Sequence, residues 1–110
     1  MKPTIELDRQ KGVLSIQIPG DLTSTSVREF QKEILASVLM PAGVAPPWQV
    51  VAFDLSAAQM VDSMGLNLIV KIFKIVRVAG GRMQVVYRDT NVHRTLLFTR
   101  LDHHVELVKG

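Results

Sequence analysis

The sequence predicts an α/β domain built on one mixed sheet of four or five strands, with helices packed mainly on one face and the element order β-β-α-β-α-β-α-β. Three observations predict it. Apolar residues alternate with polar ones near the N-terminus, recur at helical spacing from Val27 to Val38, and then fill an almost continuous run from Val50 to Leu55. The first is the period of half-buried strands, the second that of an amphipathic helix, and the third fits a central strand flanked by neighbours on both sides.

Each element follows in turn. Ile5 and Leu7 alternate with Thr4, Glu6 and Asp8, and Leu14, Ile16 and Ile18 alternate with Ser15 and Gln17, so two strands flank a turn at Gln10 to Gly12. Gly20 ends the second strand. Ser26 with Glu29 three residues later is a capping-box signature, which places a helix from about Ser26 to Met40. Val27, Phe30, Ile34 and Val38 give it a core face, with Arg28, Glu29, Lys32 and Glu33 outside. Ser56 to Val61 then links the central strand to Asp62, and Ser63 to about Val78 reads as a second helix. Gly80-Gly81 stops it, since glycine takes the left-handed C-terminal position without steric cost. Met83, Val85 and Tyr87 alternate as a fourth strand, Thr90 to Arg100 forms a short helix, and Val105 to Val108 a last strand or extended tail. A hairpin followed by alternating strands and helices favours parallel crossovers in the second half.

Composition bounds the function. The 110 residues fit one domain, expected to span 1–110, and 47% apolar with 21% charged residues excludes a disordered or coiled-coil chain. Without cysteine there is no disulfide, thiolate metal site or cysteine nucleophile, and a reducing, cytoplasmic setting is the expectation. Ile34 to Phe53 carries no charge over 20 residues, but Pro41, Gly43, Pro46 and Pro47 interrupt it. It therefore reads as helix end, loop and strand, not as a membrane span. The opening MKPTIELDRQ lacks the apolar run of a signal peptide, so neither export nor membrane insertion is expected. The net charge of +3 is unevenly placed. Residues 1–62 carry five Lys/Arg against seven Asp/Glu, net −2, and residues 63–110 carry eight against three, net +5. That excess falls short of the dense basic tract of a phosphate-backbone binder, so no direct nucleic-acid contact is expected.

Asp62-Ser63 stands where the linker meets the second helix, and both residue types are favoured N-caps. Capping is the commoner role. Yet at 100° per residue Ser63, Asn67, Lys71, Lys74 and Arg77 fall within a sector of roughly 120°, opposite Ile69, Ile72, Phe73 and Val76. Ser63 thus heads an exposed basic face, which is otherwise an ordinary solvated one. A phosphate there would meet free N–H groups and the positive end of the helix dipole, beside a like-charged Asp62. Met64 and Val70 lie at the margin of this sector, as core edge or as apolar contacts for a partner.

Enzyme chemistry finds little support. His93, His103 and His104 have no spacing that ties one of them to Ser63 as a general base. No P-loop or dinucleotide fingerprint is present, and the adjacent His103 and His104 point to opposite faces of an extended segment. The histidines read as surface or boundary residues. No metal, cofactor or catalytic residue is expected.

The run Val50-Val51-Ala52-Phe53-Asp54-Leu55-Ser56, the six residues ending in Asp62, Ser63 and then Gly65-Leu66 resemble the signature of STAS domains, specifically bacterial anti-sigma factor antagonists. The likeness continues through Gly20, Gly80-Gly81 and the Val92-His93-Arg94-Thr95-Leu96-Leu97 helix, and covers nearly the whole chain. It implies a cytoplasmic regulator without catalytic activity that binds an anti-sigma factor, itself a GHKL-type serine kinase, and so releases a sigma factor. It further implies that Ser63 is the phosphoacceptor with Asp62 its acidic neighbour, that a PP2C-type phosphatase resets it, and that Gly65 lets the first helical turn lie close to a partner. Together with the exposed helix face, this makes Asp62, Ser63, Met64, Gly65, Asn67, Lys71 and Lys74 the expected partner-binding residues. Met64 stands where the family usually has Ser or Thr, and Thr23 where a second acid often follows Asp21. A non-phosphorylated STAS scaffold, as a subunit of a signalling assembly or lipid-transport ATPase, is the alternative. Nucleotide binding beside Ser63 has only a generic anion site in its favour.

Overall fold

A computed structural model describes residues 1–110. The strands are β1 Thr4–Asp8, β2 Val13–Gln17, β3 Val50–Leu55, β4 Arg82–Tyr87 and β5 Glu106–Lys109. The helices are α1 Ser24–Val38, α2 Ser63–Val78 and α3 Thr90–Phe98, with a 3-10 turn at Leu101–His103. The strands form a single sheet in sequence order. β1 and β2 are antiparallel and every later pair is parallel.

The hairpin forms because the Asp8 carboxylate accepts from the amides of Gln10 and Lys11, each at 3.1 Å, which holds the turn tight. In register, Ile5 opposes Ile16, Ile16 opposes Phe53 and Phe53 opposes Val85, so one face of the sheet collects the apolar side chains. That face is the core. Leu14, Ile16, Val51, Phe53, Leu55, Met83 and Val85 are buried on it, against Val27, Phe30, Ile34 and Val38 of α1, Leu68, Ile69, Ile72 and Val76 of α2, and Val92 and Leu96 of α3. The opposite face is uncovered, and none of its strand residues is buried. β3 therefore alternates buried and half-buried residues along its length although it is almost entirely apolar.

The structure moves several expected boundaries. α1 begins at Ser24, not Ser26, because Thr23 is the N-cap and Ser26 is the third helical residue, whose Oγ accepts from the Thr23 amide at 2.9 Å. Glu29 takes no part in the cap. The helix ends at Val38, and the uncharged stretch continues as loop into β3; no helix is long and apolar enough to cross a membrane. Trp48, inside that Pro-rich loop, is itself part of the core. At the other end of α2 Gly80 adopts φ +82°, its amide bonded to the Arg77 carbonyl and that of Gly81 to Val76. α3 stops at Phe98, and the last strand is Glu106–Lys109, one residue later than expected.

Candidate functional site

Asp62 is the N-cap of α2. Its Oδ1 accepts from the Gly65 amide at 2.9 Å and its Oδ2 from the Ser24 amide at 2.8 Å, so one carboxylate closes the first turns of both α1 and α2. Those groups are the unpaired donors that every helix start leaves, and an anion satisfies them best. The Gly65 amide, followed by that of Ser24, holds the half-buried Asp62 carboxyl below the usual carboxylate range, against the opposing effect of desolvation.

The loops beneath are joined just as closely. The Leu22 amide donates to the Met60 carbonyl at 3.0 Å and the Asp62 amide to the Leu22 carbonyl at 3.1 Å, a short parallel bridge between Leu22 and Val61. Asp21 Oδ1 accepts from the amides of Gln59 at 2.8 Å and Met60 at 3.1 Å. The segment before α1 and the segment before α2 are thus one hydrogen-bonded unit. Sequence reasoning missed the Asp62–Ser24 and Asp21–Gln59 links, which span 38 residues each and leave no local pattern.

Ser63 opens α2 on this unit and is exposed, as are Asn67, Lys71, Lys74 and Arg77 along the same helix face. Met64 is 40% exposed, so it belongs to the surface rather than the core margin, while Val70 is half-buried. Met60 is exposed as well, beside the cap. Gly65 is different. It is buried, and a Cβ there would collide with the Leu22 carbonyl oxygen and come within 3.0 Å of Leu22 Cγ and Val61 Cγ1. The close approach it permits here is to the chain's own loop before α1.

None of the histidines hydrogen-bonds to Ser63. His93 stacks on Tyr87 with centroids 4.1 Å apart, and His104 lies against Phe73 at 5.5 Å. His103 faces Asp102 at 3.9 Å, in a 3-10 turn rather than the extended segment expected. No three metal-ligating side chains cluster. The Ser63 hydroxyl has no histidine, and its surroundings are backbone amides, one fixed carboxylate and a basic helix face.

A family model described as the STAS domain matches residues 4–109. The chain belongs to the STAS domain family. An anti-sigma F factor antagonist of Paenibacillus polymyxa is 29% identical over an alignment of 99 residues that covers 87% of this STAS chain and 78% of that protein. An anti-sigma-factor antagonist (STAS) domain protein from Planctomyces limnophilus has a similar solved structure, with TM-score 0.83 at 18% identity over 100% of this chain and 92% of that one. SpoIIAA, the Bacillus cell fate determinant, solved in its phosphorylated form, gives TM-score 0.71 at 13% identity over 98% of this chain and 90% of that one. At such identities these two structures establish the STAS fold, and the geometry at Ser63 must speak for itself.

Proposed function

We propose that this STAS domain is an anti-sigma factor antagonist of the cytoplasm, which binds an anti-sigma factor and frees a sigma factor, and that phosphorylation of Ser63 switches the binding off. The observation that carries the reading is the exposed Ser63 hydroxyl at the head of α2, set on a cap whose own acceptor oxygens are already engaged. The antagonist function named for the Paenibacillus polymyxa relative supports it.

The switch works through position. The amides of Ser63 and Met64 lie in the first turn of α2, where phosphate oxygens find donors and the helix dipole favours negative charge. Asp62 cannot swing away, because two backbone donors hold it. A phosphoryl group of about −1.5 to −2 charge therefore sits beside a fixed carboxylate, and a surface that the partner meets as polar and apolar becomes strongly anionic. Ser63, Met64, Asn67, Lys71 and Lys74 form the docking face, with Asp62 holding it in shape. The chain performs no chemistry itself: a GHKL-type kinase, which is the anti-sigma factor, adds the phosphate, and a PP2C-type phosphatase removes it.

The test incubates the purified chain with the cognate anti-sigma kinase and ATP and follows intact mass. One phosphoryl adduct on the wild type, none on Ser63→Ala, and loss of kinase binding on the modified chain are expected. A wild type that binds the kinase but gains no adduct would overturn the switch, and a wild type that binds no anti-sigma factor would overturn the function.

A further inference from the structure

α1 packs against α2, and two hollows lie along them, one beside Met64, next to Ser63, and the other at the far end of both helices. The upper hollow, of about 250 Å³, is lined by Gln31, Met64, Asn67 and Lys71, and the lower, of about 500 Å³, mainly by apolar residues of the α1–β3 loop and α2. Lys74 lines both, and together they are the two parts of one groove. In the lower part Leu39 and Val44 are exposed and Val78 is 90% exposed, an apolar cluster at the opposite end of α2 from Ser63.

Charge chooses the occupant. Lys71 and Lys74 line the groove three residues apart on α2, no carboxylate lines either hollow, and the sequence from Ser63 to Arg88 contains no acidic residue. A second copy of this chain would bring the same row of cations to the contact. α2 has 16 residues, about 24 Å of helix, and a partner helix of about four turns spans that length. We propose that this groove receives an acidic amphipathic helix of the anti-sigma factor, its apolar face over Val44 and Val78 and its carboxylates beside Lys71 and Lys74. The contact then reaches a full helix length from Ser63, so the phosphate acts on one end of an interface whose other end holds an apolar anchor. This rests on the reading of the chain as an anti-sigma factor antagonist for the identity of the partner alone.

Two measurements separate the ideas. First, a synthetic 16-residue helix-forming peptide of Leu and Glu at amphipathic spacing, and its Leu and Lys counterpart, are titrated into the isotopically labelled full chain. The acidic peptide is expected to shift amide resonances of Val38 to Val44 and Lys71 to Val78, the basic one to leave them in place, and Lys74→Glu with Val78→Asp to abolish the response. Second, the cognate anti-sigma factor is titrated into wild type, Lys74→Glu, Val78→Asp and Ser63→Asp, with Phe98→Ser on exposed α3 as control. Each groove variant is expected to weaken binding about tenfold or more, and the control to leave it unchanged. A peptide response elsewhere or none, or groove variants that bind like wild type while Ser63→Asp does not, overturns the groove and leaves the switch standing. A peptide response in the groove without any binding to the anti-sigma factor supports the groove and overturns the proposed function. A dimer in sedimentation that Val78→Asp dissolves assigns the groove to self-association and overturns it.

Discussion

Gly65→Ala tests whether the two loops and α2 act as one unit. Alanine raises intrinsic helix propensity by about 1 kcal/mol over glycine, so in an open position the change would stabilise α2. Here the new methyl group meets the Leu22 carbonyl oxygen, with Leu22 Cγ and Val61 Cγ1 both at 3.0 Å. A side chain would yield to such a contact. The carbonyl cannot, because it accepts from the Asp62 amide while the Leu22 amide is held by Met60. Overpacking against a fixed backbone costs about 1–3 kcal/mol, and opening the bridge costs about 1 kcal/mol for each hydrogen bond lost. Once the helix gain is deducted, the variant is expected to lose about 1–3 kcal/mol, a fall in Tm of roughly 4–12 °C for a domain of this size. Urea and thermal unfolding measure this directly, with Gly20→Ala as the control, since nothing lies within 4 Å of a Cβ there. The Ser24 and Asp62 amide resonances should move in Gly65→Ala and not in the control. A Gly65→Ala protein as stable as wild type, or more stable, would refute the account of the junction.

Other perturbations address the cap, the proposed phosphoacceptor and pH. Ser26→Ala removes the Oγ that accepts from Thr23 and donates to the Asp21 carbonyl, and should cost about 1 kcal/mol in urea unfolding, whereas Glu29→Ala should stay within about 0.5 kcal/mol of wild type. Equal losses would return the cap to Ser26 and Glu29. Ser63→Ala should likewise stay within about 0.5 kcal/mol in unfolding while abolishing phosphorylation, because the side chain is exposed and makes no hydrogen bond within the chain. The folded Asp62 carboxyl is held below its unfolded range, so the unfolded chain binds more protons and stability rises with pH across that interval. Its contribution is complete above about pH 4–5 and is lost as pH falls through the depressed folded value. Urea midpoints between pH 6 and pH 3 should fall less steeply in Asp62→Asn than in wild type, and parallel curves would remove Asp62 from the effect.

Most of the fold was legible because it is written in local periods. The alternation at Ile5–Leu7 and Leu14–Ile18, the helical spacing of Val27 to Val38 and the apolar Val50–Leu55 each fix an element without knowledge of the rest. The start of α1 was misplaced because two capping patterns overlap: Ser26 with Glu29 fits the sequence rule, and Thr23 with Ser26 satisfies it in space. Only the approach of Asp21 and Leu22 to the loop before α2 decides between them, and that approach is non-local. Trp48 escaped for the same reason, since nothing in Pro46-Pro47-Trp48 says that the ring will be buried at the foot of the sheet. Ser63 and the exposed sector of α2 were readable from helical phase. The dual role of Asp62 was not, because its second partner, the Ser24 amide, carries no side-chain identity.

The separation along α2 limits how a phosphate at Ser63 can act. Lys71 lies eight residues further on, about 12 Å along the helix axis, and Lys74 about 16 Å. The Debye length at physiological salt is about 8 Å, so the basic row is largely screened from the modified serine. The proposed phosphorylation of Ser63 would therefore not neutralise Lys71 and Lys74. It would change the surface at Ser63, Met64 and Asp62, where the fixed carboxylate would lie beside the new charge and backbone donors hold that carboxylate in place. A switch of this kind needs a rigid platform more than a flexible one, because a cap that relaxed would move its charge away and blunt the change that the partner meets. The twofold anchoring of Asp62 and the packing around Gly65 supply that rigidity. Binding of the unmodified chain should then weaken with added salt, through the exposed basic row, while the ratio of affinities between unmodified and phosphorylated chain should change much less, because it is set at contact distance.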